Sequence, residues 1–321
     1  MVRSRRWGVM AATVAACLLA SCDRAGRAAG TGVAAGSWQA KAPLPTARQE
    51  MPSALVAGRI YTPGGFDAAG AASARLEVYD VAADQWSAAT PMPEARHHPG
   101  VAAAGGRVFV FGGYVPGPFP GPASDAVFVF DPESQSWSRA RPMPAPRAAH
   151  VSVELDGKVY SIGGVRNDAV VGTNEAYDLA TDSWRELAPM PTPREHLAAA
   201  VVGDRILVVG GRAPLNTAAL EAYSPATDSW EGLADMPAAR GGLAAAAVGG
   251  KLYAFGGENP GVFATTEAYD PATNAWRGLA DMPTPRHGTG GVAVNGVIYV
   301  IGGGVRAGYG ASDANEAFTP P

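Results

Sequence analysis

The sequence predicts an all-β protein built from six copies of one unit, and three observations carry that prediction. Gly (41) and Pro (27) are spread along all 321 residues, which favours many short strands and tight turns over helices. Glycine pairs recur at Gly64-Gly65, Gly112-Gly113, Gly163-Gly164, Gly210-Gly211, Gly256-Gly257 and Gly302-Gly303, spaced 46 to 51 residues apart. An arginine stands sixteen residues before each pair (Arg48, Arg96, Arg147, Arg194, Arg240, Arg286), and a tryptophan ten residues before each arginine (Trp38, Trp86, Trp137, Trp184, Trp230, Trp276). A period of this length marks an architecture in which each unit buries its face against its neighbours.

Each unit reads as four strands. In the third repeat the first strand is expected over 150–155, followed by a tight turn at Asp156-Gly157. A second strand over 158–162 runs into the glycine pair, a third covers 175–177 and a fourth 184–187. Similar two-residue turns stand at Gly105-Gly106, Gly203-Asp204, Gly249-Gly250 and Asn295-Gly296. The first strands hold alanine runs (198–200, 244–247) that would score as helix by propensity alone. Flanking Val and Gly favour strand, and small side chains suit an innermost strand where units crowd together.

The glycine pair closing an apolar strand (158–164), the Tyr-Asp ahead of a turn and Trp (Tyr177 to Trp184), and Met190-Pro-Thr-Pro-Arg194 resemble the kelch repeat. The resemblance covers 37–320 and implies a six-bladed β-propeller with four antiparallel strands, a to d, in each blade. Five repeats carry an aromatic seven residues before the Trp: Tyr79, Phe130, Tyr177, Tyr223 and Tyr269. Phe318 fills that place in the sixth, but the sequence stops before a Trp, while Trp38 has no such aromatic upstream. A strand around Trp38 is therefore expected to complete the last blade and fasten the ring, leaving no open sheet edge.

Residues 1–21 read as a secretory signal, with Arg3, Arg5 and Arg6 ahead of an apolar stretch too short to span a bilayer comfortably. Leu19-Ala20-Ser21-Cys22 resembles a bacterial lipobox, which implies acylation of Cys22 and anchoring to a bacterial membrane, in the periplasm or at the cell surface. An ordinary signal peptide containing Cys22 is the alternative. Residues 22–36 read as a Gly/Ala-rich tether and 37–321 as the propeller. The other cysteine, Cys17, lies inside the signal, so the processed body is expected to lack disulfides, Cys-ligated metals and thiolate chemistry. Processing would remove three arginines and no acid, taking the net charge from -4 to -7. With no basic run beyond the N-terminus, nucleic-acid binding is set aside. A monomer without cofactors is expected.

In an up-and-down blade the b-to-c and d-to-a connections share one face. Glycine pair to aromatic position spans 15, 18, 14, 13, 13 and 16 residues in blades 1 to 6, so the long loops belong to the neighbouring blades 6, 1 and 2. That face is the expected binding surface. It carries Tyr114 and Phe119 in a proline-rich loop, with Arg306 and Tyr309 in blade 6. His97, His98, His150, His196 and His287 each follow a d-to-a arginine and should ring the channel mouth with Glu50 and Glu195. They lie on different blades without ligand spacing inside any one, so no metal site is expected.

The repeated arginines should pair with Glu77, Glu175, Glu221, Glu267 and Glu316, the acids two residues before the strand c aromatic. That makes Arg48, Arg194, Arg240 and Arg286 structural. Blade 2 has Phe128 in the acid's place, leaving Arg96 or Arg147 either to meet an anionic ligand or to be satisfied by Asp125. Nothing resembles a nucleophile-base pair or a phosphate loop, so the reading is a binding module that offers this face to a protein or glycan partner. Resemblance to the kelch-type sialic acid mutarotases implies the alternative, a sugar-converting enzyme working by general acid and base. The copper chemistry of the galactose oxidase branch needs a Tyr cross-linked to Cys, and a processed chain would lack the Cys.

Overall fold

The computed structural model describes residues 35–321; the signal segment, Cys22 and nearly all of the tether lie outside the described residues. Six four-stranded antiparallel sheets form the blades, and no helix occurs among the described residues. The third blade has strands Val151–Leu155, Lys158–Ile162, Asn174–Asp178 and Ser183–Leu187, each within a residue of its expected limits. The alanine runs are strands, Ala198–Val202 and Ala244–Val248, because tertiary packing of small side chains at the axis overrides their helix propensity.

The ring closes as the sequence predicts. Ser37–Ala40 pairs with Asn315–Thr319 as the outer strand of blade 6, with Trp38 opposite Phe318. All six blades are thus complete between Ser37 and Thr319. Six apolar clusters hold the ring, one at each junction between neighbouring blades.

The fixed spacings have physical causes at those junctions. Every repeated Trp donates its indole N–H to a carbonyl just past the outer strand of the preceding blade, from Trp38 to Ala280 around to Trp276 and Ala234. The second glycine of each pair donates its N–H to the carbonyl of the next blade's arginine, as Gly65 does to Arg96 and Gly303 does to Arg48. Both glycines have positive φ, and a Cβ on Gly64 would stand 2.6 Å from the Arg96 carbonyl oxygen. Only glycine permits both the turn and this approach.

A third fastener is polar. Tyr79, Tyr177 and Tyr223 donate their hydroxyls to Asp84, Asp182 and Asp228, and each carboxylate also accepts a backbone N–H from the strand connection of the preceding blade: Ala42, Arg141 and Ala188. In blade 5 Asn274 makes both bonds. The Tyr79 hydroxyl is the main cause holding Asp84 below the usual carboxyl range; for Asp182 and Asp228 the backbone N–H leads and the tyrosine follows. A carboxyl depressed in the folded state stabilises above its unfolded pKa of about 3.9 and loses that contribution as pH falls through the folded value. We therefore expect Asp182→Asn to flatten the decline of the urea midpoint between pH 5 and pH 2, because Asn preserves both bonds without titrating. An unchanged slope would show that these carboxylates do not set acid stability.

Candidate functional site

The residue two places after each repeated arginine forms a ring around the channel mouth: Glu50, His98, Ala149, His196, Gly242 and Gly288. All six have φ between 51 and 66°, counting 56° at Glu50, 53° at His98 and 66° at Gly242. Each donates its backbone N–H to the carbonyl of the ring residue before it, closing a circle of six bonds of 2.7 to 3.1 Å. The circle forces the left-handed conformation on whatever residue stands there. Three positions are small; the other three present Glu50, His98 and His196 at a backbone conformation that disfavours non-glycine residues.

Beside this ring lies a cleft of about 440 Å³ on the face of the b-to-c loops. Its wall is aromatic: Phe66 stacks at 3.9 Å on His97, lies near-parallel to Phe119 at 6.4 Å, and meets Tyr309 edge-on at 6.2 Å. Tyr114 follows on the other side of His97, at 5.2 Å. Phe119 is 86% exposed, and the Tyr309 hydroxyl donates to the Asp67 carbonyl. The proline-rich loop is tied down where His97 Nε2 bonds the Pro120 carbonyl at 2.9 Å.

The floor is ionic. Glu50 contacts His98 at 3.2 Å and His287 at 3.3 Å, and His287 lies 3.5 Å from Glu258. Arg212 pairs with Glu258 and approaches Glu195, which in turn bonds His196 Nδ1. Burial alone would raise the Glu50 carboxyl, but His98, His287 and His196 outweigh it and hold Glu50 below the carboxylate range. Burial pushes His98 and His196 down, against the opposing pull of Glu50. Burial would lower His287 as well, but Glu50 and Glu258 on either side raise it. The acid and the three imidazoles of this floor therefore set one another's proton affinities, against or along with burial.

The expected candidates divide. Glu50, His98, Tyr114, Phe119 and Tyr309 line the cleft, while His97 is buried behind it as a support. His150 lies deeper along the channel, buried with neither ring nitrogen hydrogen-bonded. Arg306 is exposed and contributes its carbonyl to His287 Nε2 rather than its side chain to the cleft.

Two readings need correction. Arg96 and Arg147 are both 1% exposed and face no ligand surface. Arg147 pairs with Glu175 at 2.5 Å, as Arg48, Arg194, Arg240 and Arg286 pair with Glu77, Glu221, Glu267 and Glu316. Arg96 is the one without a strand c acid, and it is satisfied by Glu94 at 2.6 Å and by the face of Phe128, not by Asp125. Three other blades carry Thr at the Glu94 position, where Thr46, Thr192 and Thr284 bond the strand c acid. Blade 2 has moved the acid from strand to loop.

Sequence reasoning missed Phe66, Arg212 and Glu258, and the signal was available. Each immediately follows its glycine pair, as Tyr114 does, and that position bridges the residue after the repeated arginine in blade after blade. Spacing within single blades likewise could not show which side chains gather across blades. One donor atom each from Glu50, His98 and His196, on three different blades, lie within 4.8 Å of one another.

Fold and site together define a six-bladed propeller with one specialised face over its channel. The chain belongs to the kelch-repeat family: the family described as the KLHDC2/KLHL20/DRC7 Kelch-repeats domain matches residues 34–211 and 187–303. Kelch-like protein 23 of Homo sapiens is 33% identical over 89 residues, 28% of this chain and 16% of that protein. The Mus musculus protein is 31% identical over the same shares. The chain thus spans about a sixth of the length of these relatives. The solved structure of YjhT superposes with a TM-score of 0.75 at 18% identity, covering 87% of this chain and 96% of that one, a likeness of fold.

Proposed function

We propose that this protein is an extracytoplasmic kelch-propeller binding module, lipid-anchored through Cys22, whose channel-mouth cleft holds a sugar unit of a glycan. Kelch propellers serve generally as interaction scaffolds, and here the cleft narrows the ligand class. The observation that carries the reading is the pairing of an aromatic wall, Phe66, Tyr114, Phe119 and Tyr309, with a floor of charged donors and acceptors, Glu50, Arg212 and Glu258. A sugar presents apolar C–H faces and a rim of hydroxyls, which such a wall and floor complement. The volume falls in the range of small-ligand sites, about 300–1,000 Å³.

The test is a glycan-array screen of residues 35–321, a unit that contains every strand of the ring, followed by calorimetry on the hits. Phe119→Ala and Tyr309→Ala should each weaken binding about tenfold or more, as truncating an aromatic anchor does, with the melting temperature unchanged. Binding indifferent to both changes would place the ligand elsewhere, and a silent array would favour a protein partner. The floor supports a second reading, conversion of sugar anomers, because it sets an ionised Glu50 beside a readily protonated His287. NMR of a bound sugar would show accelerated mutarotation. For the anchor, Cys22→Ala should abolish incorporation of labelled fatty acid and release the protein from membranes; undiminished labelling would exclude acylation at that residue.

A further inference from the structure

We propose that Glu50, His98 and His196 form a binding site for one divalent transition-metal cation of the zinc class, with its remaining coordination positions opening into the cleft. The site is independent of the sugar reading, since it rests on three donor atoms, from Glu50, His98 and His196, that lie within 4.8 Å of one another.

The protons of the floor are fixed from Pro120, whose carbonyl can only accept, so His97 Nε2 carries a proton. In a neutral ring His97 Nδ1 is then an acceptor, and it lies 2.6 Å from His98 Nδ1. The proton between the two belongs to His98, so the neutral His98 ring has its lone pair at Nε2. That atom sits 3.2 Å from Glu50 Oε2, close enough to share a proton or a cation with it. His196 is arranged in the same way from the other side: Glu195 takes its Nδ1–H, so the neutral ring has its lone pair at Nε2, an atom without a hydrogen bond among the described residues. Two imidazoles and a carboxylate therefore bring donor atoms within 4.8 Å of one another, where a divalent cation takes the place of the protons that otherwise join them.

The geometry and surroundings agree. Two donors each about 2.1 Å from a tetrahedral zinc lie about 3.4 Å apart, close to the Glu50–His98 contact, and drawing in the third takes about an ångström of side-chain adjustment. A carboxylate on the far nitrogen of His196 and a fixed tautomer on His98 are the outer supports that metal-binding histidines usually have. Glu50, Glu195 and Glu258 bring three carboxylates to the floor, with Arg212 as the opposing cationic group and His287 set between Glu50 and Glu258. All three ligands stand on the hydrogen-bonded ring, a rigid support, and Gly288 leaves the Glu50 carboxylate its room, because a Cβ there would strike it. Two imidazoles with one carboxylate suit zinc, copper or nickel better than calcium or magnesium.

The experiment is titration of chelator-treated residues 35–321 with ZnCl2, with retained metal measured after gel filtration, and with CoCl2, followed by visible absorption. One zinc per chain, not displaced by millimolar Mg2+ or Ca2+, is expected, together with a d–d spectrum of low-coordinate cobalt. Glu50→Gln, His98→Gln and His196→Gln should each lower zinc affinity at least tenfold while far-ultraviolet circular dichroism is unchanged. If any of these fails to fold, His196→Cys provides the second arm: the described body has no other thiol, so a sulfur-to-cobalt charge-transfer band in that variant places residue 196 on the metal. No retained zinc in the wild type, affinity unaffected by the folded substitutions, or metal loading of His196→Cys without the band would each overturn the site. Sugar binding by the metal-free protein is read separately, so failure of one proposal leaves the other standing.

Discussion

Deleting Ser37–Ala40 is expected to destabilise the entire propeller, and Trp38→Ala alone should cost about 3 kcal/mol, the lower end for a large aromatic because Trp38 is only half-buried. The indole lies 5.0 Å from the Phe318 ring and 5.6 Å from Phe255, and it bonds the Ala280 carbonyl at 2.8 Å. Those contacts join the two ends of the chain and seal the junction between blades 5 and 6. For a domain of this size the loss corresponds to a fall in melting temperature of about 5 °C. Differential scanning calorimetry checks it: one cooperative transition shifted downward is the expected result. An unchanged melting temperature after truncation to residue 45 would show that the outer strand does not carry closure.

The second large effect separates two arginines that look equivalent in the repeat. Arg147→Ala leaves the Glu175 side chain, 5% exposed, charged and without its partner, a loss of about 3–5 kcal/mol. Arg96→Ala leaves Glu94, whose side chain is 45% exposed and returns to water, so only the packing on Phe128 and neighbouring bonds are lost, about 1–2 kcal/mol. Arg147→Met combined with Glu175→Leu should recover most of the first loss, since removing both members of a buried pair also removes the unpaired charge. Urea unfolding of the four variants decides this. Equal losses at Arg96 and Arg147, or no recovery in the double variant, would mean that the buried pairs are not what these arginines contribute.

Some of the site was legible and some was not, for a geometric reason. Tyr114 and Phe119 could be placed at the cleft because a proline-rich loop of unusual length marks itself locally. The role of Arg96 could not, because its replacement acid, Glu94, stands in a loop position occupied by Thr in three other blades, and pairing depends on where that loop folds back. Arg212 and Glu258 were open to reading only after the residue following each glycine pair was known to face the channel.

What the sequence determined by itself is whatever repeats at short range: six blades, their strand limits, the tight turns and the closing strand. Glycine pairs, Trp and Arg fall at spacings dictated by contacts between adjacent blades, and six copies of one local rule leave little freedom in the architecture. Tertiary structure alone decided which side chains meet at the centre. Glu50, His98 and His196 belong to blades 1, 2 and 4, and no ligand spacing within any one blade marks them. They come within 4.8 Å because a closed ring carries equivalent positions of every blade to a common axis, where residues far apart in sequence become neighbours.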